Sequence, residues 1–304
     1  MSQLKLLKRK EVDEQKWNAL INASANSLPY ALSWYLDAVA ENWYALVWND
    51  YEAAMPLVWL TKAGFKCLYQ PYYCQQLGIF SKKPAASDLQ QQFLNQAKKF
   101  AYVNINLNPV SQIVEGDFKL KQKRNLLLNL NQAYPALKKN YTENHRRNIA
   151  KAEKNALQFT GAVELKPFQK FYTGNINPQK ENFKPQHEKI FKRLSAILIN
   201  NGAGQVFGVT NSEGELTAAV LLITHGHRLI AIINTSSAEG KRNGASHFLF
   251  DRLIHKFSGQ PFIFDFEGSS IASIARFYEG FGAFEEVFFN YHTTVLKQLS
   301  QLFR

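Results

Sequence analysis

Cysteine is scarce in this chain: Cys67 and Cys74 are the only two in 304 residues. Two are too few for a disulfide scaffold and lack zinc-ligand spacing. On a strand over 67–73 their odd separation puts them on opposite faces, which argues against a mutual bridge. Long apolar runs are also missing. Stretches such as 218–223 fall far short of the ~20 residues that span a bilayer. The N-terminus is basic but no long apolar region follows it, so no signal peptide is expected and a cytoplasmic location is. No Gly-x-Ser-x-Gly, Walker loop or dinucleotide fingerprint occurs. The seven histidines show no metal spacing beyond His225-Gly226-His227, in an expected turn with no third ligand, so no metal is expected. Acid is short as well: 24 Asp and Glu stand against 36 Lys and Arg, a net charge of +12.

What is present is a plan used twice. Residues 45–106 and 206–267 each read strand, turn, strand, turn, strand, helix, strand. Glu52-Ala53-Ala54-Met55-Pro56-Leu57-Val58 matches Thr217-Ala218-Ala219-Val220-Leu221-Leu222. A basic turn follows each, then strands over 67–73 and 229–235, helices over 89–100 and 245–257, and strands over 102–107 and 262–266. With 46% hydrophobic residues the chain can fill two cores. The expected class is α/β with mixed sheets, in two domains, 1–135 and 136–304, divided near Tyr134-Pro135. A duplicated domain also implies a cleft where the copies meet.

Around the copies, apolar spacing predicts helices over 11–21 and 30–43, with Trp17, Leu20 and Ile21, then Leu32, Leu36 and Val39, facing inward. Residues 125–130 read as one more strand of the first domain. A helix is expected over 138–157, capped by Thr142 or Asn140, with Arg147, Lys151 and Lys154 on one face and Ile149, Ala152 and Ala156 on another. Gly161, Pro167, Gly174, Pro178 and Pro185 make 161–185 look like loop. A helix over 188–200 should turn Ile190, Leu194 and Ile197 inward. Gly268-Ser269 should lead to a helix over 270–280 and a strand over 285–291. From 138 to 193 the chain holds thirteen Lys or Arg against five Glu and no Asp. Such a connector would attract phosphates, whether of nucleic acid, a nucleotide-linked substrate or an anionic lipid face; alternatively it is a solvated helix surface.

Three segments could carry chemistry. Lys241, Arg242, Asn243, Gly244, Ala245 and Ser246 follow a strand and open a helix, where free amides and small residues could bind phosphate; the plainer reading is a turn capped by Asn243. Asp265 and Glu267 alternate with Phe264 and Phe266 at a strand end, so both carboxylates should share one face. They could serve as general base, or they pair with Arg276 or the basic connector. Tyr278 is either core or a proton donor to a leaving group. In the first copy Tyr72, Tyr73, Gln75 and Gln76 end a strand, as lining of an acceptor pocket or as surface aromatics.

The small-apolar strand, the glycine-bearing turn into a helix and the segment "FYEGFGAF" resemble the GNAT acyltransferase fold. With "NHRRNIAKAEKNAL" between the copies and "FDFEGSSIASIARFYEGFGA" near the end, the tandem arrangement is similar to the FemAB-like branch. The resemblance implies two tandem GNAT-like domains, a donor side in the second and an acceptor side in the first. It implies an N-acyltransferase that uses an activated donor, acyl-CoA such as acetyl-CoA or an aminoacyl-tRNA, and a small-molecule or peptide-like amine acceptor. Lys241-x-x-Gly244-x-Ser246 meets the GNAT pyrophosphate pattern only loosely, and the long helical arm of some FemAB proteins has no room here. The alternative is a non-catalytic protein that keeps the fold and binds nucleic acid or a phosphate-bearing precursor.

Overall fold

The computed structural model describes residues 3–109, 119–161, 163–176, 183–267 and 271–294. The chain forms two compact units: Met1–Lys123 with Val287–Arg304, and Arg124–Glu286.

The first unit opens with a strand that sequence reading missed, β1 (Leu4–Lys8), followed by α1 (Glu14–Ala23) and α2 (Ser33–Val39). The side chain of Asp13 caps α1 by accepting from the Lys16 amide at 3.0 Å. Trp17, Leu20, Ile21, Leu36 and Val39 are buried, as their spacing predicts. The strands β2 (Trp43–Trp48), β3 (Ala53–Lys62), β4 (Phe65–Tyr69), β5 (Phe80–Ser81) and β6 (Tyr102–Leu107) follow, with α3 (Ser87–Ala97) before β6. β1–β2, β2–β3 and β3–β4 pair antiparallel, and β4–β6 parallel. β4 ends at Tyr69, short of the expected 73, because Pro71 cannot donate to a ladder. Cys74 therefore lies beyond the strand; both cysteines are free and buried.

The second unit begins within β7 (Leu120–Asn129). It continues with α4 (Tyr134–Lys139), α5 (Glu143–Lys154), β8 (Gln158–Thr160), α6 (Leu165–Asn175) and α7 (Pro185–Asn200). Next come β9 (Gly204–Thr210), β10 (Leu216–His225), β11 (Arg228–Ser236), α8 (Ala238–Asn243) and α9 (Ala245–Phe257). β12 (Ile263–Asp265), α10 (Ala272–Glu279) and β13 (Phe284–Thr294) close the described chain. The expected helix start at 270 and its Gly268-Ser269 lead lie outside the described residues. β8–β9, β9–β10 and β10–β11 pair antiparallel, and β11–β12 parallel. This repeats the order of β2, β3, β4 and β6, so the duplicated plan is present in the topology as well as in the pattern.

Four expectations are corrected. The strand predicted over 125–130 belongs to the second unit: β7 pairs antiparallel with β12, Asn129 opposite Ile263, and Leu126 and Leu128 enter that unit's core. β13 correspondingly pairs with β6 in the first unit. The helix over 138–157 is two helices, because Thr142 caps α5 by accepting from the His145 amide and breaks the run. Residues 165–175 form α6 despite Pro167 and Gly174; proline in the first turn costs no hydrogen bond, and glycine near the last turn costs little. On α7 the buried residues include Phe191, Leu194 and Leu198, with Ile190 and Ile197 only half covered. The face turns toward α6, whose Phe168 and Tyr172 pack on Phe191 with centroids at 5.7 and 4.3 Å.

Consecutive residues of β10 are buried, so both faces of the sheet are covered. α5 and α9 pack over one face through Ile149, Ala152, Phe248, Leu249 and Leu253, against Val220, Leu222 and Phe264. α6 and α7 pack on β9, β10 and β11.

Candidate active site

β11 and β12 run side by side over three residues only, Arg228, Leu229 and Ile230 opposite Ile263, Phe264 and Asp265. β12 then ends while β11 continues to Ser236. Just past the divergence β11 carries a bulge. Leu221 faces Ile233 and Leu222 faces Ala231, so Ile232 is the extra residue, left out of the ladder. Into this gap opens a cavity of about 780 Å³, lined by Ala231, Ile232, Asn234 and Ser236 of β11, by residues from Gly240 to His247, by Phe266 and Glu267, and by α10.

One end of the cavity is the joint between α8 and α9. Ser237 caps α8 by accepting from the Gly240 amide at 3.0 Å. Gly244, with φ +78, ends α8 and starts α9 at once. Here the structure departs from expectation. The segment 241–243 is helix rather than an open phosphate loop, and Asn243 is not a cap. The amides of Lys241 and Gly244 are already spent on Ser237 and Gly240 carbonyls. The amides of Ala245, Ser246 and His247, in the uncapped first turn of α9, have no intrahelical acceptor, and the helix dipole favours an anion there. Lys241, Gly244 and Ser246 line the cavity; Arg242, Asn243 and Ala245 do not.

Two close backbone approaches hold this end in place. A Cβ on Gly244 would lie 2.4 Å from the Asn148 carbonyl oxygen, and one on Gly240 would lie 2.0 Å from the Thr217 carbonyl oxygen. Gly240→Ala therefore has to push α8 off β10. Its expected cost is about 1–3 kcal/mol, read as a lower urea midpoint with an unchanged slope. A shift below about 0.5 kcal/mol would show that α8 yields freely.

The other end carries Glu267 and Tyr278. Tyr278 is 4% exposed and stacks on Phe266 with centroids 4.7 Å apart. Its hydroxyl accepts from the Asn234 side-chain amide at 3.3 Å. Burial raises its pKa; the Asn234 bond opposes this, and the charges of Glu267 and Asp265 add to it. Tyr278 is therefore a firmly protonated donor. Glu267 has φ 50, an uncommon conformation for a non-glycine residue, and its amide donates to Asp265 Oδ1 at 3.1 Å.

That left-handed turn undoes the expected alternation. Glu267 lines the cavity, but Asp265 is 1% exposed and faces elsewhere. Asp265 accepts from Asn125 Nδ2 at 2.8 Å and pairs with Arg228 at 2.8 Å, and Arg228 also pairs with Glu286 at 2.6 Å. Burial works to lower the pKa of Arg228, but the charges of Asp265 and Glu286 outweigh it and hold the guanidinium protonated. The expected partners of Asp265, Arg276 or the basic connector, give way to Arg228. The structure makes Asp265 the anchor of Glu267 rather than a lining residue.

Arg147, Lys151 and Lys154 are exposed on one face of α5, without ion-pair partners among the described residues, and they do not line the cavity. Tyr72, Tyr73, Gln75 and Gln76 lie in the first unit, between β4 and β5. Tyr72 is 40% exposed, Tyr73 has φ 57, and Gln76 is buried, its Oε1 without a hydrogen-bond partner among the described residues.

Sequence reasoning missed Asn234, Ser236, His247 and Ser273 in the cavity wall. Asn234 carried a signal: a polar residue ending the apolar run 229–233. His247 carried only its place one turn into α9. Its ring lies 4.7 Å from that of His145, which bonds the Phe277 carbonyl through Nε2 at 2.7 Å and Thr142 Oγ1 through Nδ1 at 2.9 Å. Burial first, then the His145 charge, lowers the pKa of His247 from 6.5 to about 4. The unfolded chain thus binds a proton below pH 6.5 that the folded chain refuses until about pH 4. Stability is lost as pH falls across that window, by about 3 kcal/mol from this residue. Urea melts at several pH values should show a shallower dependence over that window for His247→Gln; an unchanged dependence would overturn the assignment.

No protein-family model matches the sequence, and no curated protein matches it. Solved structures do. The chain is similar to FemX, with a TM-score of 0.67 and 13% identity, over 98% of this chain and 99% of that one. It is also similar to L-PGS from Bacillus licheniformis, with a TM-score of 0.57 and 11% identity, over 96% and 95%. These likenesses establish the fold as GNAT-like in tandem, of the FemAB-like kind.

Proposed function

We propose that this chain is an N-acyltransferase whose donor lies in the gap between β11 and β12. The observation that carries the reading is the divergence of these strands. It opens a cavity with uncapped helix amides at one end and a carboxylate beside a buried phenol at the other. Donor phosphates meet the first turn of α9 and Lys241. The acyl carbonyl lies along β11 near the bulge at Ile232. A neutral amine attacks the acyl carbon and forms the new C–N bond while its proton passes to Glu267 through water. Tyr278 donates to the departing oxygen or sulfur as the donor bond breaks, and is reprotonated by the proton that Glu267 received. Most of the acceleration comes from holding both reactants in place.

As donor, aminoacyl-tRNA is favoured over acyl-CoA. The segment that would cradle a pyrophosphate is itself helical and has spent the Lys241 and Gly244 amides, while α5 presents Arg147, Lys151 and Lys154, which have no ion-pair partner among the described residues. The test is amide formation from radiolabelled aminoacyl-tRNA or acetyl-CoA with a panel of amines, alongside binding of each donor over a salt series. Transfer from aminoacyl-tRNA, with affinity falling steeply in salt, supports the reading. Transfer from acetyl-CoA replaces the donor; binding of either without transfer leaves a binding protein in place of an enzyme.

A further inference from the structure

The first unit carries a groove of about 620 Å³, formed where its core reaches the surface. Tyr44 and Phe100 are only half covered there, and two large apolar side chains stand exposed beside them: Leu6 on β1, 52% exposed, and Phe65 on β4, 45% exposed. Phe65 is held out by the hairpin between β3 and β4, whose turn places Ala63 and Gly64 at positive φ and sets Lys62 opposite Phe65. Isolated exposed apolar residues are ordinary, but here two border a single groove.

The charge around them is three to one positive. Lys8, Lys66 and Lys99 line the groove. Lys66 is fixed in place: its Nζ donates to the Tyr44 hydroxyl at 2.6 Å and sits 4.7 Å above the Trp59 ring and 5.1 Å above that of Tyr44. That leaves N–H groups for an anion. The one acid in the lining, Glu11, is turned back on the protein, accepting from the Lys8 amide at 2.7 Å.

We infer that this groove is a docking surface for a bilayer that contains anionic lipid. Leu6 and Phe65 reach the boundary of headgroups and acyl chains, and the lysines meet lipid phosphates. Charge complementarity selects this occupant. A neutral apolar partner would leave three cations facing it, and a purely anionic polymer would leave Leu6 and Phe65 in water. The inference does not depend on the reaction proposed for the second unit.

The test is co-sedimentation of the whole protein with vesicles of phosphatidylcholine alone and of phosphatidylcholine with one quarter phosphatidylglycerol. Binding to the mixed vesicles only, reversed by salt, is expected. Phe65→Glu should weaken partitioning by roughly tenfold or more, because it removes one large apolar contact and adds a charge of the wrong sign. Lys8→Glu with Lys99→Glu should do the same without touching the apolar contacts. Lys82→Glu with Lys83→Glu, on exposed positions between β5 and α3 and outside the groove, matches that charge change and should leave binding unchanged. Equal loss in this control would mean net charge alone acts, and would overturn the inference. So would equal binding to neutral vesicles, no binding to mixed vesicles, or full binding by Phe65→Glu that keeps the parent's melting temperature.

Discussion

Glutamine in place of Glu267 should lower kcat/KM for acyl transfer by about 10²–10⁴-fold, the usual contribution of a positioned general base. The substitution keeps the shape and the strained backbone while it removes the ability to take a proton. Donor affinity should stay within a fewfold of the parent, so the loss appears in kcat. Tyr278→Phe should also lose rate, on the order of 10², as for one preorganised donor to a developing charge. Direct binding of donor, with steady-state rates for both variants, separates chemistry from binding. If Glu267→Gln retains more than about a tenth of parental activity, the base lies elsewhere.

Arg228→Met should cost about 3–5 kcal/mol, the range seen when one member of a buried ion pair is removed. Asp265, 1% exposed, would keep its charge site with only neutral hydrogen-bond partners, and Glu286 would lose its 2.6 Å contact. The cost falls on the alignment of β7, β11 and β12, which Asn125, Arg228 and Asp265 tie together. Arg228→Met combined with Asp265→Asn should recover at least half of the loss, since removing both charges is milder than stranding one. Denaturant melts of the single and double variants give the numbers. A single-variant loss below about 1 kcal/mol would mean that the cluster is effectively solvated.

The repeat was legible because it is written in hydrophobic periodicity: β6 and α9 match their expected bounds, 102–107 and 245–257. The resemblance carried by "FYEGFGAF" led to the right fold. What escaped was written in tertiary contacts. β1 has a mixed pattern and forms because β2 pairs with it. α6 tolerates Pro167 and Gly174 because its aromatic face packs on Phe191. At the candidate site, Lys241, Gly244, Ser246, Glu267 and Tyr278, named from motif and position, all line the one cavity. Asp265 was placed on the same face as Glu267 because period two assumes a strand, and the positive φ of Glu267 shows that the strand has already ended. Asn234 and His247 were missed because single polar residues carry no period.

The partnership of β7 with β12, and of β13 with β6, also bears on how the chain folds. Each copy in the sequence lacks the last strand of the sheet it begins. The second sheet waits on residues made long before it, as in the bond between Asn125 and Asp265, 140 positions apart. The first waits on β13, the last described strand to emerge. Contacts of such separation slow folding, because loop closure must be achieved before they are rewarded. Synthesis from the N-terminus thus leaves β6 without β13 beside it until residues 289–294 have been made, and a cut at the sequence boundary near residue 135 yields two halves, neither holding a whole sheet.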